Sequence, residues 1–288
     1  MSKWLQKKAA AIALVCMICG ALSGYASVTL DRGSSCGQDA IAVYVNDVLE
    51  YTGYRIQGRE YVPLRSFCGS LDLGAVITWG GESEPMVVRF QTTDHREHVL
   101  SARVGDFYLL VDERIVYLDG DVLLSGGNVL VPLDGLCRAF GVTASADGFR
   151  QGLVLDTEEL RVCQSGSETY DAEDLKWLSH IINAEAGNQS IEGQICVGNV
   201  VLNRVKHDAF PDSVRDVVFS PGQFCPVASG TIYSTPDADA VAAAKLCLEG
   251  LNLAGESTYF VNPVTGSTRW FRENLTYVMS VGDHDFYF

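Results

Sequence analysis

Eleven residues of this chain, Gly58-Arg-Glu-Tyr-Val-Pro-Leu-Arg-Ser-Phe-Cys68, return 69 residues later as Gly127-Asn-Val-Leu-Val-Pro-Leu-Asp-Gly-Leu-Cys137, with five positions identical. The first half is therefore built from one unit used twice. Each copy reads as a glycine turn, a short apolar strand ending in Val-Pro-Leu, and a helix-like segment. That segment keeps its cysteine on an apolar face, with Phe67 and Leu71 in one copy and Leu136 and Phe140 in the other. Proline lacks an N–H and so ends strand pairing, while its fixed φ suits the first turn of a helix. Strands are expected ahead of each copy, at 41–45 and 115–118, where residues alternate or run apolar. With 288 residues and 47% hydrophobic side chains, there is apolar material for one large or two ordinary domains.

The N-terminus reads differently. Lys3, Lys7 and Lys8 precede an apolar run from Ala9 to Leu22, followed by Gly24, Ala26 and Ser27. Residues 1–26 are expected to be a secretory signal peptide cut near Ala26, since a spanning helix needs about 20 apolar residues. An uncleaved anchor is the alternative. Removal of Cys16 and Cys19 leaves seven cysteines, an odd number that cannot all pair within one chain, and buried thiols are favoured over a disulfide framework. Asp and Glu outnumber Lys and Arg 36 to 21, for a formal charge of −15. No positive field exists to collect nucleic acid.

The repeat, with its Gly-Arg-x-Tyr-Val-Pro-Leu-Arg core and Trp79 downstream, resembles the copper amine oxidase N-terminal-like domain over residues 38–155. The resemblance implies a strand-rich stalk module of exported Gram-positive proteins, with a possible wall or envelope partner. It implies no copper chemistry. His95 and His98 are expected in a solvated loop rather than at a metal, and neither metal nor other cofactor is expected. Residues 162–169 are polar and aperiodic, so the boundary is placed there, with 156–170 as linker and 171–288 as the second domain.

In that second half, Asp171 reads as an N-cap, and Leu175, Leu178, Ile182 and Glu185 then share one helical face up to Gly187. A second helix is expected from Ser190 to about Val205, and a third from Thr235-Pro236 to Gly250. Strands follow at 258–261 and 276–281, with 286–288 closing an α+β domain.

Glu185 breaks its own pattern by standing where the apolar face should continue. Partial desolvation of a carboxylate raises its pKa, as a general acid requires. Spacing alone leaves open that Glu185 points to water or pairs with Arg204. The ordered motifs Ala184-Glu-Ala-Gly187, Glu192-Gly-Gln, Val200-Val-Leu-Asn-Arg-Val205, Phe210-Pro211, Pro221-Gly-Gln-Phe224, Tyr259-Phe-Val-Asn-Pro263, Trp270 and Gly282-Asp-His-Asp-Phe286 resemble the SleB/CwlJ-type cell wall hydrolase family. The resemblance implies a lysozyme-like, lytic-transglycosylase-like helical domain with a small antiparallel sheet. It further implies a secreted enzyme that cleaves peptidoglycan next to N-acetylmuramic acid, in the cell wall or spore envelope of a Gram-positive-type bacterium, with Glu185 as the acid. One departure is Asn188-Gln189, where the family commonly carries an acidic residue.

Hydrolases of the ordinary kind need a second carboxylate. The nearby candidates, Glu192, Asp208, Asp212 and Asp216, read as surface charges, and lytic transglycosylation needs only Glu185. Gln223, Phe224 and Asn262 lie in loops suited to neutral sugars, with turn chemistry as the alternative for Asn262. Tyr259 and Trp270 are candidates to floor a sugar cleft, and His284 to contact substrate, although aromatics at strand positions usually belong to the core. Asn203 and Arg204 suggest a buried polar network. Competing functions are a thiol peptidase using Cys196 or Cys225 with His207 or His284, a two-carboxylate muramidase, and a non-catalytic wall-binding protein.

Overall fold

A computed structural model describes residues 39–288; the expected signal peptide, Cys16, Cys19 and Cys36 lie outside them. The described residues form two compact units, one ending at Thr169 and one running from Tyr170 to Phe288.

The first unit contains β1 (Asp39–Val45), β2 (Val48–Ile56), β3 (Arg59–Pro63), α1 (Leu64–Ser70), β4 (Val76–Thr78), β5 (Met86–Gln91), β6 (Glu97–Ala102) and β7 (Tyr108–Val111). It continues with β8 (Arg114–Tyr117), β9 (Leu123–Ser125), β10 (Asn128–Pro132), α2 (Leu133–Phe140), β11 (Thr143–Asp147), β12 (Gly152–Asp156) and α3 (Gly166–Thr169). Seven strands form one sheet in the order β11-β12-β1-β2-β3-β10-β9, and five form another in sequential order from β4 to β8. Between sheets and helices lies one core, including Val43, Leu64, Phe67, Val88, Leu100, Leu136 and Phe140.

The two repeat copies pair with each other. β3 and β10 are antiparallel, with Val62 opposite Val131, Tyr61 opposite Pro132 and Pro63 opposite Leu130. Val62 and Val131 are equivalent positions of the repeat, so a local two-fold passes between them. Each copy is entered through a two-residue turn, Gln57-Gly58 and Gly126-Gly127, with positive φ at both positions, the hairpin geometry that matches strand twist. Each proline ends its strand, and the helix starts at the following leucine. The repeated helices meet through Phe67 and Phe140, edge to face at 5.5 Å.

Strands lie ahead of both copies as expected, but in different sheets: β1 lies inside the seven-stranded sheet, β8 at the edge of the five-stranded one. Between β8 and the second copy the chain turns at Gly120, whose φ is 141°, and passes into β9 of the seven-stranded sheet. Residues 156–169 of the stretch expected as a linker belong to the first unit. Leu160, Val162 and Cys163 pack on the first unit's core, and backbone hydrogen bonds run from Arg161 to Phe140, Cys163 to Ala139 and Gly166 to Asp112.

His98 also departs from the solvated loop expected for it. It is buried, stacks on Phe90 at 5.3 Å, and bridges Asp112 Oδ2 (2.6 Å) and Thr92 Oγ1 (3.1 Å). Asp112 Oδ1 accepts from the Val99 N–H, and Thr92 donates to Asp94. His95 stays exposed, and among the described residues no group of three His, Cys, Asp or Glu could hold a metal.

The second unit has α4 (Ala172–Ala186), α5 (Ile191–Val205), α6 (Val214–Phe219), α7 (Cys225–Ser229), a 3-10 turn (Thr231–Tyr233) and α8 (Ala238–Leu248). Then follow β13 (Tyr259–Val261), α9 (Arg269–Asn274), β14 (Tyr277–Val281) and β15 (His284–Tyr287), with the antiparallel sheet ordered β13-β15-β14. Side chains of Asp171, Ser190, Ser213 and Asp237 cap α4, α5, α6 and α8 by accepting backbone N–H groups. Helices α4, α5 and α8 pack on one another. Gly198 permits the close crossing, since a Cβ there would come within 2.8 Å of Cys247 Sγ and Ile182 Cδ1.

One face of α5 holds the following backbone by side-chain bonds. Asn199 Nδ2 donates to Leu251 O, and its Oδ1 accepts from the Leu253 and Ala254 N–H groups. Asn203 Nδ2 donates to the Gly255 and Ser257 carbonyls, and Arg204 Nε to that of Thr258 at 2.7 Å. Residues 251–258, outside any strand ladder for most of their length, thereby find partners for their backbone groups.

Candidate active site

Glu185 sits in the last turn of α4, half-buried. Among the described residues, nothing hydrogen-bonds or ion-pairs with its carboxyl. Burial pushes its pKa up, and Arg204 partly offsets the rise. The partial negative charge at a helix C-terminus works in the same upward direction. The helix end is fixed by its own sequence: Gly187 N–H donates to Asn183 O, and Asn183 Oδ1 accepts from the Asp237 N–H at the start of α8.

Arg204, 5% exposed on α5, is the centre on which other candidate residues converge. Its guanidinium lies 5.2 Å from the Phe210 ring, 5.1 Å from Phe224 and 5.4 Å from Tyr259. It donates to Gln223 Oε1 at 3.3 Å as well as to Thr258 O. Desolvation holds the arginine's pKa down, while Tyr259 and Glu185 act against that. The network expected for Asn203 and Arg204 is thus present.

The remaining candidates divide. Gln223 is exposed and tethered to Arg204. Tyr259 is half-buried between Phe210 at 6.0 Å and Trp270 at 6.1 Å. Trp270 is 52% exposed, on helix α9 rather than a strand. Phe224, expected at a sugar-facing loop surface, is buried, because its ring covers the guanidinium. The Asn262 amide oxygen is occupied by its own turn, accepting from the Val264 and Thr265 N–H groups. His284 is buried against Phe260, its Nδ1 without a partner, and burial lowers its pKa. The structure ties Gln223, Phe224 and Tyr259 to Arg204, and Trp270 to Tyr259; no direct bond links Asn262 or His284 to this cluster.

Sequence reasoning missed a second device. Gln189, just past the end of α4, donates to Asp283 Oδ2 and accepts from the Asp283 N–H, both at 2.9 Å. The amide locks the segment after Glu185 to the β14–β15 turn. The only hint in the sequence was Asn188-Gln189 itself, where an acidic residue was expected.

Of the weighed second carboxylates, Asp208 and Asp212 are exposed, Asp216 is paired with Arg215, and Glu192 lies in the first turn of α5. Cys225 is exposed, and among the described residues no hydrogen bond joins it to His207 or His284. Cys196 is buried on α5.

Comparison with known proteins agrees with the motifs. Residues 188–287 match the Cell Wall Hydrolase family, starting three residues past Glu185, and residues 43–154 match the copper amine oxidase N-terminal domain. A spore cortex-lytic enzyme of Halalkalibacterium halodurans is 35% identical over 117 residues, covering 41% of this chain and 35% of that relative. One from Bacillus cereus is 32% identical over 117 residues, covering 41% and 45%. The catalytic domain of the germination-specific lytic transglycosylase SleB from Bacillus anthracis is 30% identical over 44% of this chain and 100% of its own length, with a TM-score of 0.40. The match spans less than half the length of these two curated relatives. Residues 188–287 thus carry a match to the Cell Wall Hydrolase family, and residues 43–154 ahead of them a match to the copper amine oxidase N-terminal domain.

Proposed function

We propose that residues 171–288 cleave the glycan strand of peptidoglycan next to N-acetylmuramic acid by lytic transglycosylation. Glu185 protonates the leaving glycosidic oxygen while the muramic acid 6-hydroxyl attacks its own anomeric carbon; the carboxylate then takes the hydroxyl proton, leaving a 1,6-anhydro end and consuming no water. The observation that carries this reading is a half-buried carboxyl whose pKa burial raises, with no protein hydrogen bond to compete for its proton. The relatives that this chain resembles are spore cortex-lytic enzymes, which favours cortex or cell wall as substrate. Gln223, Tyr259 and Trp270 are proposed to line the sugar path, with Phe224, Asn262 and His284 supporting it. The proposed division is signal peptide at 1–26, a stalk module at 38–155 that meets a wall or envelope partner, and export to the wall or spore envelope. Mass spectrometry of digested peptidoglycan tests the reaction: anhydro ends are expected, and reducing ends, heavier by one water, would replace this reading by a two-carboxylate hydrolase.

A further inference from the structure

A buried guanidinium is costly unless something holds it, and the common holder is a carboxylate. Arg204 has none: among the described residues, no Asp or Glu lies within ion-pair distance of it. Its partners are neutral, namely Thr258 O, Gln223 Oε1 and three aromatic rings. Its charge is therefore not cancelled by a close carboxylate; helix α5, which bears it, packs against α4, which bears Glu185, and among the described residues Arg204 is the charged group that acts on that carboxyl.

We propose that Arg204 is a positioning residue for Glu185, holding the Gln223 loop and the Tyr259 strand in register with the acid and supplying the fixed positive charge against which its carboxylate forms. This rests on the transglycosylase reading above and deepens it. One carboxyl must be neutral when it donates and charged before it reclaims a proton. A guanidinium bound to neutral partners stabilises the charged stage without forming the close ion pair that would stop the carboxyl from being reprotonated. The planar fork sets orientation as well, because Nε and Nη1 bond to groups from two different segments.

Two variants separate charge from fork, assayed on soluble glycan fragments with the full chain. R204K keeps a cation but cannot reproduce both bonds. It is expected to raise KM about tenfold, the worth of roughly one charge-assisted hydrogen bond, while leaving the basic limb of the pH profile in place. R204Q removes the cation, and its basic limb is expected to move to higher pH, since a positive neighbour holds an acid's pKa down. A wild-type KM in R204K, or an unmoved limb in folded R204Q, would overturn the proposal. If R204Q does not fold, R204K decides alone: a raised KM with an unmoved limb supports it, and a wild-type KM or a shifted limb rejects it. Glu185→Gln serves as the control, because an active Glu185→Gln enzyme would reject the transglycosylase reading itself, whatever the arginine variants do.

Discussion

Each unit of the molecule buries a titratable centre, and the two are finished differently. In the first unit, both ring nitrogens of His98 and both oxygens of Asp112 have partners, and the Thr92 hydroxyl has His98, Asp94 and the Arg96 carbonyl in reach. The order hydroxyl, imidazole, carboxylate is that of a catalytic relay, yet no group in it is left to react. In the second unit, among the described residues, Glu185 has no bonded partner and Arg204 no close counter-charge. A closed network fixes a structure, whereas an open one has capacity left for a substrate.

Glu185→Gln gives the sharpest test of that contrast. Glycan release should fall by about a thousandfold, within the range for loss of a general acid, in a protein that stays folded. The same variant should melt at a higher temperature than wild type at neutral pH. Burial raises the Glu185 pKa above its unfolded value, so its contribution is favourable at low pH and is lost as pH rises through the folded pKa. The advantage of glutamine should therefore shrink on acidification. Thermal melts at two pH values check this, and an advantage that grows toward acid would contradict it. Activity should also decline as pH rises through that same pKa.

For the closed centre the expectation is reversed. Asp112→Ala should cost the first unit about 3 kcal/mol by leaving a buried histidine unpaired, read by urea denaturation, while glycan cleavage per folded molecule stays unchanged. A drop in turnover with stability intact would mean that this network is chemical after all.

A smaller effect is expected from Gln189→Ala, which removes two hydrogen bonds between the end of α4 and the Asp283 turn. Stability should fall by about 1–2 kcal/mol, together with a modest loss of kcat that the fully partnered His98 centre would not produce. Smallest of all should be the changes Glu192→Gln, Asp208→Asn, Asp212→Asn and Asp216→Asn, each within about threefold of wild type if no second carboxylate is needed. Uptake of labelled solvent oxygen into the product, together with one of these variants as damaged as Glu185→Gln, would establish a two-carboxylate mechanism.

Much of the fold was legible because its signals are local. Asp171, Ser190 and Asp237 announce their helices by side-chain chemistry confined to the first turn, and the repeat announces itself by identity. Helices α6, α7 and α9 were not anticipated, since five or six residues are too few to display a 3.6-residue period. That the strands ahead of the two copies, β1 and β8, join different sheets depends on partners elsewhere in the chain. At the site, Glu185 was conspicuous as a charge on an apolar face. The Gln189–Asp283 lock joins residues 94 apart in sequence, a pairing that no local pattern encodes, and the three rings around Arg204 come from three separate segments.

The side chains of Asn199, Asn203 and Arg204 have a consequence for the order in which the second unit assembles. Their bonds reach 52 to 55 residues along the chain, and they are made by a helix to a segment that has little ladder of its own. Until α5 has formed, residues 251–258 have no template, and the loop that must close is long. Helix formation should therefore precede docking of the terminal hairpin during refolding. In pulsed hydrogen exchange, the amides of α5 would then be protected before those of Leu253, Ala254 and β13, so that the strand bearing Tyr259 is among the last parts of the unit to be set in place.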